Sequence, residues 1–157
     1  MRSSFAKSIA NVACAAAISL IAGGVFAGDV DHRKVVNGLT VHFGIVPVDR
    51  LRSFPEESEE AAAHISIPAG RDVQHLVVAV FEGKEMKRVT DVDVYARVRE
   101  PGLAWTTKHL GPTTLNGATT FCNYFTLHDH RDYVIDIDIK RADTNKTVTA
   151  EFDYRSG

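Results

Sequence analysis

His128-Asp129-His130 is the stretch whose residue types and spacing can do the most specific chemistry. On extended backbone, residues two apart point to the same side. Two imidazoles so placed can share one metal ion, with Asp129 as an alternative ligand or as the partner that orients a ring. A polar turn with two solvated histidines has the same spacing, so the motif needs ligands from elsewhere in the chain. The sequence supplies candidates: His32, His42, His64, His75 and His109 complete a set of seven, all beyond residue 27. Imidazole-rich sets suit Cu(II), Zn(II) and Ni(II), with geometry and supply rather than affinity choosing among them.

The elements that must position these residues are strands. Gln74 to Phe81 is a short apolar run with His75 at its mouth, closed by Glu82-Gly83-Lys84. Its length and composition predict a central strand buried on both faces. Leu39, Val41, Phe43 and Ile45 alternate with Thr40, His42 and Gly44 until Pro47, which predicts a first strand with His42 on its polar side. Val92, Val94, Ala96 and Val98 give the cleanest alternation, and Glu100-Pro101-Gly102 turns the chain. Leu103 to Leu110 is a weaker strand holding Trp105 and His109. Gly111 to Gly117 is expected as a loop, with a short edge strand over residues 113–115 as the alternative. Thr119 to Leu127, Tyr133 to Lys140, and Val148 to Tyr154 complete the pattern.

About seven strands with turn signals between them, and no long helix, predict an all-β, immunoglobulin-like antiparallel β-sandwich. Tyr133, opening the penultimate strand just after a loop, stands where such sandwiches place a tyrosine whose hydroxyl bonds upstream backbone. A core aromatic is the plainer reading. Residues 28–38 are a polar lead-in, and the sandwich spans 39–157 with a long irregular connection at 49–73. That connection carries Pro55, the acidic Glu56-Glu57-Ser58-Glu59-Glu60 and three alanines. Ser53 and Glu56 have capping-box spacing for a short helix through the alanines. The acidic cluster is expected to be a solvated face.

Strand parity turns the histidines into a site. With residues 113–118 as loop, successive strands reverse, so the strand beginning at His75 and the strand ending at Leu127 share one end. The connection carrying His64 enters from that end, while Met86 and His109 go to the other. His64, His75, His128 and His130 are the expected metal ligands on one rim. An eighth strand at 113–115 would flip the parity and separate them.

Composition limits the other classes. Arg2 and Lys7, the apolar Ile9 to Ile21, and the small residues Val25 and Ala27 have the form of a secretory leader over residues 1–27. A lipoprotein reading through Cys14 lacks the usual leucine before it. Cleavage near Ala27 would send the domain to the periplasm or outside, and would move the formal charge from −2 to −4. No basic run suggests nucleic acid, and no second apolar segment suggests a membrane span after leader removal. Cys122 is then the single cysteine of the mature chain, expected as a small buried hydrophobe, with a metal thiolate or an intermolecular bridge as the alternatives. No G-x-S-x-G, H-E-x-x-H, phosphate loop or dinucleotide fingerprint occurs, so no catalytic residue is assigned and the chain is read as non-enzymatic.

His75-Leu76-Val77-Val78-Ala79-Val80-Phe81, followed by Val89-Thr90-Asp91-Val92-Asp93-Val94-Tyr95-Ala96-Arg97-Val98, resembles small exported bacterial domains of the YtkA-like and FixH-like kind. Asn123-Tyr124-Phe125 and Asp132-Tyr133-Val134-Ile135 fit the later part of that pattern. The resemblance implies an immunoglobulin-like fold and the handling of copper or another transition metal at the cell envelope. Related chains carry a Met before the histidine that matches His64, where this chain has Ala63. That departure disfavours thioether ligation of Cu(I), while a histidine site for an oxidised metal survives it. The alternative function is an accessory module binding another envelope protein through a sheet face, an edge or the 49–73 connection. Expressed with its leader in a Gram-negative host, the chain should be recovered from the periplasm with Gly28 as its first residue by mass spectrometry. Recovery with residues 1–27 attached would contradict the leader assignment.

Overall fold

The computed structural model describes residues 31–55, 57–58, 67–144 and 146–157, with only the backbone described at Leu115. The leader segment, the alanine stretch with its expected helix, and His64 lie outside the described residues. Among those described, the strands are β1 (Arg33–Val36), β2 (Leu39–Pro47), β3 (Val73–Glu82), β4 (Lys87–Arg88), β5 (Val92–Arg99), β6 (Thr106–Leu115), β7 (Ala118–Thr126), β8 (Asp132–Arg141) and β9 (Thr147–Arg155). One short helix, α1 (Val48–Arg52), follows β2.

All pairings are antiparallel and run β1-β2-β3-β7-β6-β5-β8-β9, with β4 beside β3. The path curls until β1 packs near β9, so the sheet is nearly closed and barrel-like. The expected all-β antiparallel class therefore holds, while the strand count rises from about seven to nine. β1 forms within the residues expected to be a plain lead-in, turning into β2 through Asn37-Gly38, both at positive φ. Asn-Gly is the residue pair that a two-residue hairpin favours.

β6 is the larger departure from expectation. Gly111-Pro112 reads as a break, yet the strand continues to Leu115 and turns into β7 through Asn116-Gly117, again at positive φ. The break in sequence marks a change of partner. Residues 106–110 pair with β5, and residues 111–115 pair with β7. A proline is tolerated where one ladder ends and another begins, because a missing N–H costs least there. Two side chains close the split that the exchange leaves between β6 and β7. Lys108 Nζ donates to Tyr124 O at 2.6 Å, and Asn123 Nδ2 donates to His109 O at 2.7 Å.

The inward faces alternate as the sequence predicts. Leu76, Val78 and Val80 of β3 meet Val94, Ala96, Leu110, Ile135, Ile137, Ile139 and Phe152 in one core. Phe43 crosses it to reach the Phe152 ring at 4.5 Å. Tyr133 is buried, and its hydroxyl accepts the His128 N–H at 2.8 Å, tying the loop before β8 to the strand that follows it. Burial pushes the Tyr133 hydroxyl up from its ordinary pKa, so it stays a neutral hydrogen-bonding group. Tyr133→Phe leaves that N–H without its partner and should cost about 1 kcal/mol, a fall of roughly 4 °C in Tm. An unchanged Tm would show that the bond does not hold the loop.

Candidate metal centre on the outer face of β3 and β7

Because side chains alternate along a strand, the core residues Leu76, Val78 and Val80 send His75 and Val77 to the outer face of the sheet. Val46 of β2 stands opposite His75 on one side, and Tyr124 of β7 on the other. The His75 and Tyr124 rings lie 4.9 Å apart. The outer face is not open at this point. Helix α1 lies over it with Val48 and Leu51 buried, leaving only 2 % of His75 exposed. Arg52 fastens the helix, donating to Asp49 Oδ1 at 2.8 Å and to Pro68 O at 2.7 Å. The second bond brings the two ends of the 49–73 connection together. Ser53, expected to open a helix, instead caps the C-terminal end of α1, its hydroxyl donating to Arg50 O.

Between α1 and the sheet lies a largely apolar cavity of about 500 Å³, lined by Val46, Leu51, Phe54, His75, Val77 and Cys122 among others. Cys122 faces Val77 in the β3–β7 register, one pair removed from His75 and Tyr124. The thiol and the imidazole are thus diagonal neighbours on one face of two adjacent strands. Cys122 is half-buried rather than fully buried. Burial pushes its thiol up from the ordinary pKa, partly offset by the Thr113 hydroxyl at 3.1 Å. It is a protonated thiol at neutral pH.

The β3–β7 register also tests the parity argument. Val73 stands opposite Thr126, and the Leu127 N–H donates to Asp72 O at 2.8 Å. Since residues 113–115 extend β6 instead of adding a separate strand, the parity is not flipped, and the start of β3 and the His128 loop share an end. Orientation divides them. His128 is exposed, with Nδ1 at 3.0 Å from the Asp72 carboxylate. It lines a separate polar groove with Lys108, Glu100 and Tyr133.

The extended backbone assumed for His128-Asp129-His130 is absent. His130 has φ +58°, a left-handed turn conformation, so its side chain does not follow that of His128. The C-terminal end of β9 pins this turn: Ser156 Oγ bonds His128 O, and the His130 N–H donates to Ser156 O at 3.0 Å. Among the described residues, no three His, Cys, Asp or Glu side chains form a group able to hold a metal ion. Asp72 and Ser156 are the participants that the sequence reading did not single out. Asp72 closes the approach to β3, Ser156 follows the last strand, and only the β3–β7 register connects Cys122 with His75.

The other concentration of charge lies on the outer face of β5 and β8. Arg97 bridges Asp136 and Asp138, each at 2.8 Å, and the Arg99 guanidinium lies 4.4 Å from the Trp105 ring centroid. Burial raises the Asp136 carboxyl pKa even beside Arg97. This arrangement is a paired charge ladder rather than a ligand set.

No protein-family profile matches the chain, and no curated protein sequence matches it. Solved structures do. A copper-bound variant of FetP from uropathogenic Escherichia coli aligns with TM-score 0.59 and 7 % identity, over 79 % of this chain and 93 % of that one. A copper-bound variant of Campylobacter jejuni P19 aligns with TM-score 0.57 and 9 % identity, over 80 % and 94 %. A DUF4426 family protein from Pseudomonas aeruginosa aligns with TM-score 0.56 and 15 % identity, over 78 % and 90 %. At these identities the likeness is one of fold, and it spans nearly the whole of each neighbour.

Proposed function

We propose that this chain is an exported, non-enzymatic metal-binding domain of the periplasm or exterior that traffics or buffers copper or another transition metal. The observation that carries this reading is the position of His75, a deeply buried imidazole on the wall of a cavity at the same end of the sheet as the His128 loop. A buried imidazole beside a space large enough for a ligand is a suitable first ligand for an ion. The fold shared with copper-bound FetP and P19 supports the same class. Membership among YtkA-like or FixH-like domains belongs to this proposal too, resting on the resemblance of residues 75–98.

Within the proposed set His64, His75, His128 and His130, the roles differ. His75 holds the ion, joined by His64 from the 49–73 connection. His128 and His130, exposed at the same end, take up the ion from solvent. The rival reading, an interaction module, calls for a contiguous apolar patch. Among the described residues the exposed large apolar side chains are Val35, Phe54, Met86, Tyr95 and Leu103, spread over five separate elements and turns.

The test is calorimetric titration of the tag-free mature domain with Cu(II) and Zn(II). Wild type should bind saturably, and both His75→Gln and His64→Ala should weaken binding by about tenfold or more, equivalent to about 1.4 kcal/mol. The His128→Ala/His130→Ala variant should lose the exposed, weaker equivalent. Absence of saturable binding by wild type, or equal binding by all variants, would refute the assignment.

A further inference from the structure

The cavity between α1 and the sheet is larger than an ion on His75 requires. A water molecule takes up about 30 Å³ of liquid, so a space of about 500 Å³ far exceeds one ion with a few waters. Its walls are mainly apolar, with Val46, Leu51, Phe54 and Val77 among them. Phe54 is 37 % exposed and Val77 is half-buried, so apolar surface stays in contact with water on the helix side and on the sheet side alike. A concave apolar space of this size with a few polar groups is the kind that holds a small organic molecule.

Charge selects the molecule. Among the described residues that line the cavity, Arg50 of α1 carries the fixed charge, and none is Asp, Glu or Lys. Its neighbour Asp49 is taken by Arg52 at 2.8 Å, and among the described residues no carboxylate forms an ion pair with Arg50. The polar groups on the sheet are engaged within it. The Thr113 hydroxyl and the Cys122 thiol bond at 3.1 Å, the Thr120 hydroxyl donates to Thr113 O at 3.4 Å, and the His75 ring lies 4.9 Å from that of Tyr124. A polar head entering this space therefore finds its partner at Arg50.

We propose that the cavity binds a monocarboxylate amphiphile of the fatty-acid type, with its alkyl chain against Val77 and Phe54 and its carboxylate on the Arg50 guanidinium. This goes beyond the metal-binding reading and does not depend on it, because Arg50 is not among the proposed ion ligands. Arg50 is exposed, so the head stays hydrated at the rim while the chain leaves water. The guanidinium offers paired N–H donors that match the two oxygens of a carboxylate. An alcohol of the same chain length gains the apolar burial without the ion pair, and an alkylammonium meets repulsion.

The experiment is calorimetric titration of the metal-free exported protein with octanoate, octanol and octylammonium, each below the concentration at which it self-associates. Octanoate should bind saturably, one per chain and about fivefold tighter than octanol, with octylammonium weakest. The factor is modest because the ion pair is exposed, and added salt should shrink it. Arg50→Gln should lower octanoate to the affinity of octanol while octanol and Cu(II) binding change less than twofold. Val77→Trp fills the cavity from a residue outside the core and should abolish binding of both. Phe54→Ala, a second variant on the exposed wall, should weaken both about fivefold, and circular dichroism confirms that each variant is folded. Folded wild type that does not bind octanoate saturably, or binds octanol as tightly, would overturn the proposal. So would an Arg50→Gln protein that keeps the preference for octanoate, or a folded Val77→Trp protein that binds octanoate as wild type does.

Discussion

The antiparallel ladder between β3 and β7 is the constraint on which the rest of the site depends. It pairs Val73 with Thr126, His75 with Tyr124, and Val77 with Cys122. Because side chains alternate with period two, a slip of one residue would exchange the faces of β3. Leu76, Val78 and Val80 would leave the core, and His75 would enter it. The cost of exposing three fully buried aliphatic side chains, about 2 kcal/mol each, is what holds the imidazole on the outer face. The core thus fixes the register, and the register fixes the chemistry.

On the other edge of β7 stands β6, which does not remain beside it. By changing partner at Gly111, β6 carries the sheet around to β5 and brings β8 and β9 over the core. Backbone groups near the split would lack partners without Lys108 and Asn123, whose side chains supply the missing bonds. Outside the barrel, α1 partly covers the sheet face and buries His75. It is only five residues long and is held by Val48, Leu51 and the Arg52 bonds rather than by helix propensity. The space between is lined mainly by apolar side chains, with His75, Cys122, Arg50, Thr113 and Thr120 as its polar members.

Most of the inward pattern was legible in the chain, because alternation at Leu39 to Ile45, Val92 to Val98 and Tyr133 to Ile139 directly encodes a half-buried strand. Tyr133 was legible for a second reason: its place after a polar loop matches a known use of a buried hydroxyl. The continuation of β6 was masked, since Gly111-Pro112 carries the same signal for a partner exchange as for a loop. Asn116-Gly117 is the feature that could have revealed the hairpin. The shared end of His75 and His128 followed from counting strands, but side-chain direction did not. It depends on one left-handed residue, His130, and on the Ser156 contact, a long-range bond that no local pattern encodes. The pairing of His75 with Cys122 was hidden in the same way, since 47 positions separate them in sequence.

The central claim is that an ion sits under α1, on the outer face of β3 and β7. An anomalous difference map at the copper absorption edge, from a crystal grown with Cu(II), tests it most directly. The account predicts a peak at bonding distance, about 2 Å, from a His75 ring nitrogen. A peak confined to His128 and His130 at the solvent rim, or no peak with the cavity in place, would contradict it.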